Sequence, residues 1–420
     1  MLSTLTLRDI GPVQDLAIDF GPRLNVIVGD NGLGKTFLLD VAWWALTRTW
    51  AGLPAEPPPG GRGEPAISFA FDTSSSQTEK TSVYDREDQR WPREPGRPPN
   101  PGLVVYARVD GGFSVWDPAQ NYWKTKVGVD DPNRPAAFHF QPDEVWAGLP
   151  RDSQGKTYCR GLIEDWASWQ REAGDAYRQF CAVLRDLSPT GEPIEPGPLT
   201  RIAQDDRRDI PTLKISYGVP VPVVHASAAI KRVLGLAYLL VWTWREHQRM
   251  SELRGLPLIQ QVIFLIDELE AHLHPRWQRT IVRSLLGVVG EIHRQTAIQI
   301  ITATHSPLVM ASLEPHFDEA TDRLIHLAVQ DGQVVAEQLP WAKEGDASSW
   351  LVSDAFGLEQ ARSAEAEEAI EAAEAWARGD HDALPPALGS EQAIHARLEQ
   401  VLPSMDPFWP RWLVRTKRVS

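Results

Sequence analysis

A chain of 420 residues can bury a large core and would ordinarily divide into two or three domains or carry sizeable insertions. It is 42% hydrophobic and 23% charged, has no uncharged apolar run of the ~18 residues a membrane helix needs, and lacks a basic-then-apolar leader, which points to a cytoplasmic protein with no membrane partner. A formal net charge of -14 argues against a broad positive face for nucleic acid, and two cysteines, Cys159 and Cys181, are too few for a disulfide framework or a cysteine-based zinc site.

Alternation in Leu2 to Leu7, and again in Leu16, Ile18 and Phe20, predicts two antiparallel strands leading into the apolar run Leu24 to Val28. Next comes Gly29-Asp30-Asn31-Gly32-Leu33-Gly34-Lys35-Thr36, then the apolar stretch Phe37 to Leu46, so a phosphate-binding loop is expected between strand and helix. Its glycines let successive N–H groups point inward at phosphate oxygens, Lys35 adds a point charge for the β and γ phosphates, and Thr36 offers a hydroxyl to Mg²⁺. The second Gly-Lys-Thr, Gly155 to Thr157, has Pro150 where the first glycine should be and no strand before it, so it is rejected.

Pro/Gly-rich loops at Gly52 to Pro65 and Trp91 to Gly102 flank a strand, Ile67 to Phe71, and an acidic, serine-rich piece. Strands are expected at Leu103 to Arg108, Phe113 to Trp116 and Ala137 to Gln141, then one long helical stretch, Tyr158 to Leu187, holding both cysteines. Among the seventeen tryptophans, Trp43, Trp44, Trp166, Trp169, Trp242 and Trp244 fall in apolar helical stretches and read as packing residues. No heptad pattern encodes a coiled-coil arm.

A helix from Ser227 to Glu246 precedes a buried strand, Gln261 to Ile266, ending in Asp267-Glu268. A helix from Pro275 to Val289 and a second buried strand, Ala297 to Thr302, ending in Thr304-His305-Ser306-Pro307, complete a parallel unit. The tail holds a hairpin around Asp331-Gly332, an acidic helix from Ala364 to Arg378 with a solvated face, and an aromatic segment, Phe408 to Trp412, read as exposed. Clustered basic residues (Arg276, Arg279 and Arg283; Arg411, Arg415, Lys417 and Arg418) read as cations on solvated helices.

Two carboxylates at the end of a buried strand suit nucleotide chemistry. Asp267 is placed to hold Mg²⁺ opposite Thr36, and Glu268 to polarise the water that attacks the γ-phosphate. His305, after the next strand, is placed to bond the γ-phosphate and that water. His272 and His274, two residues apart beside Glu270, diverge on a turn and lack a third zinc ligand.

Together these residues resemble the ABC-type ATPase head shared by transporters, SMC proteins and bacterial defence ATPases, over Met1 to Phe37 and about Val223 to Val309. The resemblance implies an α/β P-loop NTPase head with antiparallel N-terminal strands, a mostly parallel core sheet, a helical insertion and a C-terminal helical extension. In domain terms, residues 1–50 form the first part of the head, 51–210 an insertion, 211–340 the rest of the head, and 341–420 an extension that binds a partner. It implies ATP bound by Asp30 through Thr36 (Walker A), Mg²⁺ on Thr36 and Asp267 (Walker B), and catalysis by Lys35, Glu268 and His305. Glu270-Ala271-His272-Leu273-His274-Pro275 looks like the loop that contacts a second head. Ser227 occupies the place of the signature serine that grips the ATP of a partner head, but Ala229 stands where the family has glycine and Ala226 where it has leucine. Gln141 is a candidate for the lid-coupling glutamine.

A transporter subunit would need an intact signature, an SMC-like DNA-repair head an arm, and an overcoming-lysogenization nuclease a later metal site; Asp380-His381-Asp382 sits in a polar turn instead. The wording of the whole chain, including His225-Ala226-Ser227, Glu270 to Pro275 and Phe356-Gly357-Leu358, is similar to ATPase subunits of Septu-type antiphage systems, also found with certain retrons. That likeness implies an oligomer, at least a head-to-tail dimer, regulating a separate HNH nuclease and meeting nucleic acid through the complex, with no nuclease chemistry in this chain. The alternative is a nucleotide-locked scaffold.

Overall fold

A computed structural model of the chain describes residues 1–59, 63–72, 77–92, 100–122, 135–150, 157–189, 191–214, 218–292 and 296–416. It forms two compact units, Met1–Gly345 and Asp346–Ser420. The first begins with β1 (Leu2–Ile10), β2 (Val13–Asp19), β3 (Leu24–Gly29) and α1 (Lys35–Thr47). Next come β4 (Ala66–Asp72), β5 (Gln77–Val83), β6 (Leu103–Ala107), β7 (Phe113–Trp116), β8 (Phe138–Phe140) and α2 (Pro142–Ala147). A short ribbon, β9 (Leu149–Pro150) with β10 (Thr157–Cys159), leads to α3 (Gly161–Glu172) and α4 (Asp175–Leu187), then to β11 (Glu195–Pro196), β12 (Thr212–Lys214) and β13 (Val221–Pro222). The long α5 (Ala228–Arg254), β14 (Gln261–Asp267), α6 (Pro275–Gln278), α7 (Ile281–Ile292), β15 (Ala297–Ala303), α8 (Pro307–Leu313), β16 (Arg323–Gln330) and β17 (Gln333–Leu339) complete it.

Two sheets enclose α1. The antiparallel sheet runs β2-β1-β4-β5, with Leu7 opposite Leu16 on one side and Ile67 on the other. The core sheet runs β17-β16-β3-β15-β14-β6-β7-β8; β16, β3, β15, β14 and β6 are parallel, β17 and β7 run against them on either side, and β8 pairs antiparallel with β7. Strands covered on both faces carry no alternation, which is why β14 reads Val-Ile-Phe-Leu-Ile and is buried along that whole run. Helix α1 is apolar nearly all round because beyond its first turns it is buried on every side: Trp43 meets Tyr106 of β6, and Trp44 meets Phe69 of β4. The β16–β17 hairpin turns on Asp331 (φ 51°) and Gly332 (φ 76°), the left-handed pair a tight two-residue turn requires.

Several sequence expectations are corrected. The stretch Tyr158 to Leu187 is not one helix: its start pairs with β9, placing Cys159 on a strand with its thiol 2.9 Å from the Tyr238 hydroxyl, and the helix breaks between α3 and α4 where Ala173 turns left-handed (φ 51°). The helix expected over Pro275 to Val289 breaks after α6. Residues 51–210, read as an insertion, supply β4 and β5 to the antiparallel sheet and β6, β7 and β8 to the core sheet. All six tryptophans named above are buried. The rejected Gly-Lys-Thr lies largely outside the described residues, as do Lys417 and Arg418.

The second unit contains α9 (Ala347–Leu351), α10 (Ala364–Arg378), α11 (Glu391–Val401) and α12 (Trp409–Thr416). Helix α10 buries Ala366, Ala369, Ile370, Ala372 and Ala373 against Ile394 and Leu398 of α11 and turns Glu365, Glu368 and Glu371 outward. Phe408 and Trp412 join that core, so the aromatic segment is interior, contrary to its sequence reading; a unit of this size has few other large side chains to fill its centre. Among the described residues no helix is long and apolar enough to cross a membrane.

Candidate nucleotide site

The parallel register brings the motifs to one sheet edge: Ile27 of β3, Ala303 of β15 and Asp267 of β14 stand in a row, so the chain leaves all three strands side by side. Gly29 can be nothing larger, since a Cβ there would lie 2.4 Å from the Leu327 carbonyl oxygen and its φ is +140°. Asp30, Asn31 and Gly32 form the exposed rim of the loop, and half-buried Leu33 packs back onto the core. Gly34 caps α1, and Lys35, at its first position, is 6% exposed. The Lys35 ammonium donates to the carbonyls of Gly29 (2.7 Å) and Asp30 (2.8 Å). Burial lowers its pKa, and the charges of Glu268 and Asp267 oppose that shift.

The Thr36 hydroxyl donates to Asp267 Oδ2 at 2.8 Å. Burial pushes the Asp267 carboxyl up, the Thr36 bond opposes this, and neighbouring Glu268 adds to it. Two hard oxygens in contact, one of them a carboxylate that burial still destabilises, fit a small divalent cation. Glu268 takes a left-handed conformation (φ 45°), with its N–H donating to the Ala303 carbonyl (3.1 Å) and its Oε1 3.4 Å from His305 Nε2. Burial, then the charge of Lys35, lower the His305 pKa against the opposing charge of Glu268, which favours the neutral imidazole. The fold is an α/β head with a phosphate-binding loop, in the arrangement that the sequence resemblance implies.

Two family models match the parts of the chain that carry the loop and the strand-end residues. Residues 143–311 match a family described as "AAA domain, putative AbiEii toxin, Type IV TA system", and residues 4–93 match a second AAA domain family. A retron Vc95 probable ATPase of Vibrio cholerae is 46% identical over 57 residues, 14% of this chain and 10% of that protein. Septu protein PtuA of Bacillus thuringiensis is 32% identical over 105 residues, 24% of each chain, and PtuA of Bacillus mycoides is 34% identical over 96 residues, 23% of this chain and 12% of that one. The matched stretches thus span a quarter or less of these relatives' own lengths. Among solved structures, an SMC head domain from Thermotoga maritima aligns over 81% of this chain and 99% of its own at 16% identity with a TM-score of 0.38. An SmcHead bound to the C-winged helix domain of ScpA aligns over 80% and 97% at 15% identity with a TM-score of 0.43. Over these stretches the chain is similar to a retron probable ATPase and to Septu protein PtuA.

Other expected residues sit elsewhere on the head. Ser227 is exposed and caps α5, its hydroxyl accepting the Ile230 N–H at 3.4 Å; Ala229 is half-buried one step inside. Gln141 is exposed at the end of the outermost strand β8, where its N–H donates to Glu144 Oε2 (2.7 Å) at the start of α2. His274 caps α6 through Nδ1, which accepts the Arg276 N–H at 3.3 Å.

Two residues near the site, Arg232 and Asp40, had no role in the sequence reading, and a third, Glu270, entered it only as part of the loop expected to contact a second head and beside the rejected histidine pair. Arg232, just beyond the first turn of α5, donates through Nη2 to the Asp267 carbonyl (3.1 Å) and through Nη1 to that of Arg108, tying the signature helix to the ends of β14 and β6. Glu270 is buried against the end of β15. Asp40 lies on α1, one turn beyond Thr36, and burial pushes its carboxyl up to about 6. A raised carboxyl costs the folded state nothing below its unfolded pKa of 3.8, a growing amount between there and about 6, and its full amount above. Asp40→Asn is therefore expected to stabilise the protein by on the order of 1–2 kcal/mol at pH 7.5 and not at pH 4. Urea unfolding at the two pH values measures it, and an equal shift at both would contradict the assignment.

Proposed function

We propose that this head binds ATP with Mg²⁺ and hydrolyses it slowly within a head-to-tail dimer, and that the cycle regulates a separate HNH nuclease in antiphage defence. The observation that carries the reading is the convergence of Lys35, Thr36, Asp267, Glu268 and His305 at one sheet edge, with Thr36 and Asp267 in contact and Glu268 beside His305. In this reading the loop N–H groups and Lys35 hold the β and γ phosphates, the ammonium exchanging its carbonyl partners for phosphate oxygens. Thr36 and Asp267 would hold Mg²⁺, which when bound neutralises phosphate charge. Glu268 orients and polarises the attacking water, and neutral His305 donates to the γ-phosphate.

A second head completes the site through Ser227. The exposed N-terminus of α5 offers N–H donors and a hydroxyl to a partner's γ-phosphate, while Ala229 adds a methyl where the backbone would approach, which supports slow turnover. The defence role rests on the likeness to Septu and retron ATPases. Ala229 also favours a second reading, a scaffold locked by ATP that does not hydrolyse it. The test uses the purified chain alone and co-expressed with an HNH nuclease of the Septu type. ATP is expected to produce dimers by light scattering, release phosphate at a low rate and alter cleavage by the co-purifying nuclease. Ser227→Ala is expected to lower both dimer formation and turnover about tenfold, as for loss of a hydrogen bond to a charged group. Unchanged dimerisation in that variant would sink the trans role, no phosphate release would favour the scaffold, and a nuclease that neither binds nor responds would remove the regulatory claim.

A further inference from the structure

Glu270 stands in the turn after β14, two residues beyond Glu268, and is 9% exposed. Its Oε1 accepts two hydrogen bonds from the neighbouring strand end, from the Thr304 hydroxyl at 2.6 Å and from the His305 N–H at 2.7 Å. Its Oε2 is buried with no partner among the described residues, and burial pushes the carboxyl up. A carboxylate left half-satisfied in the interior costs stability, so the bonds it does make call for a reason. The turn itself does not need it, being closed by backbone bonds from Ala271 N–H to the Glu268 carbonyl and from Leu273 N–H to the Glu270 carbonyl, both 2.9 Å.

What the carboxylate secures lies across the site. Glu268 holds a left-handed conformation that a residue with a side chain adopts only when its surroundings enforce it. The backbone on one side is tied to β15 by the Glu268 N–H to Ala303 carbonyl bond, and on the other by Glu270 Oε1 to the His305 N–H. The same carboxylate thus sets where the His305 backbone sits and closes the strained segment that aims Glu268. We propose that Glu270 is a positioning residue of this head, fixing the imidazole of His305 and the carboxylate of Glu268 in one geometry so that both meet the γ-phosphate and its water together. This rests on the ATPase reading above.

The two hydrogen bonds, rather than the charge, carry the effect, and that separates it from a general contribution to folding. Steady-state turnover at saturating ATP and equilibrium binding of ATP are compared for the wild type, Glu270→Ala and Glu270→Gln. Glu270→Ala is expected to lower kcat at least about tenfold with the ATP Kd within about threefold, while Glu270→Gln, whose amide oxygen still accepts both bonds, keeps kcat within about threefold of wild type. An alanine variant with wild-type kcat, a parallel loss of kcat and affinity, or a glutamine variant no better than alanine would each overturn the proposal. Should Glu270→Ala fail to fold, Thr304→Val removes the 2.6 Å bond at nearly constant shape and is expected to lower kcat several-fold at unchanged Kd; an unchanged kcat overturns it as well. A wild-type protein that releases no phosphate strikes the ATPase reading itself, before any variant is compared.

Discussion

Glu268→Gln is expected to cut ATP turnover by about 10²–10⁴, the range for removing a general base, while ATP still binds. The side chain is about a third exposed at the mouth of the site, its Oε1 3.4 Å from His305 Nε2, and its backbone is tied to Ala303. Glutamine keeps the length and the backbone geometry but cannot take a proton or hold water as an acceptor with both atoms. It also removes a negative charge beside Asp267 and Lys35, so ATP affinity should hold or rise, and dimers formed on ATP should persist longer. Phosphate release under saturating ATP, with nucleotide occupancy measured in parallel, decides it. Equal rates in the two proteins would mean that Glu268 is not the base and would favour the locked scaffold.

Trp43→Ala is expected to lose about 3–5 kcal/mol of stability, the range for truncating a large buried aromatic. The indole is 0% exposed, packs 6.2 Å from the Tyr106 ring and 5.9 Å from that of His139, and donates through Nε1 to the Thr49 hydroxyl at 3.1 Å. Its neighbours have little room to close the gap, because α1 is packed between two sheets. Since α1 begins at Lys35 and Thr36, the loosened helix should also weaken ATP binding, and Trp43→Phe should recover most of both. Urea unfolding reads the stability, and a loss under about 1 kcal/mol would show that the site collapses around the smaller residue.

The phosphate-loop sequence, the strand ending in Asp267-Glu268 and the strand ending in His305 were legible without any structure, and the parallel register brings them side by side. Their signals are local: a glycine pattern that only a phosphate-cradling turn requires, and apolar runs whose length and uniform burial mark parallel strands. Local signals also carried the antiparallel entry strands, the Asp331-Gly332 hairpin and the acidic helix. Tertiary structure alone decided that residues beyond Gly52 return to the sheets as β4 to β8, since a strand's partner depends on chain far away. It also decided that Cys159 lies on a strand paired with β9, and that Phe408 and Trp412 are interior, because burial depends on what else the unit has to fill its centre. The contacts that Glu270, Arg232 and Asp40 make were hidden in the sequence for the same reason. A charged residue's role is set by which distant group it meets in a low-dielectric place, here the His305 N–H, the Asp267 carbonyl and the covered flank of α1, and no spacing along the chain encodes that meeting.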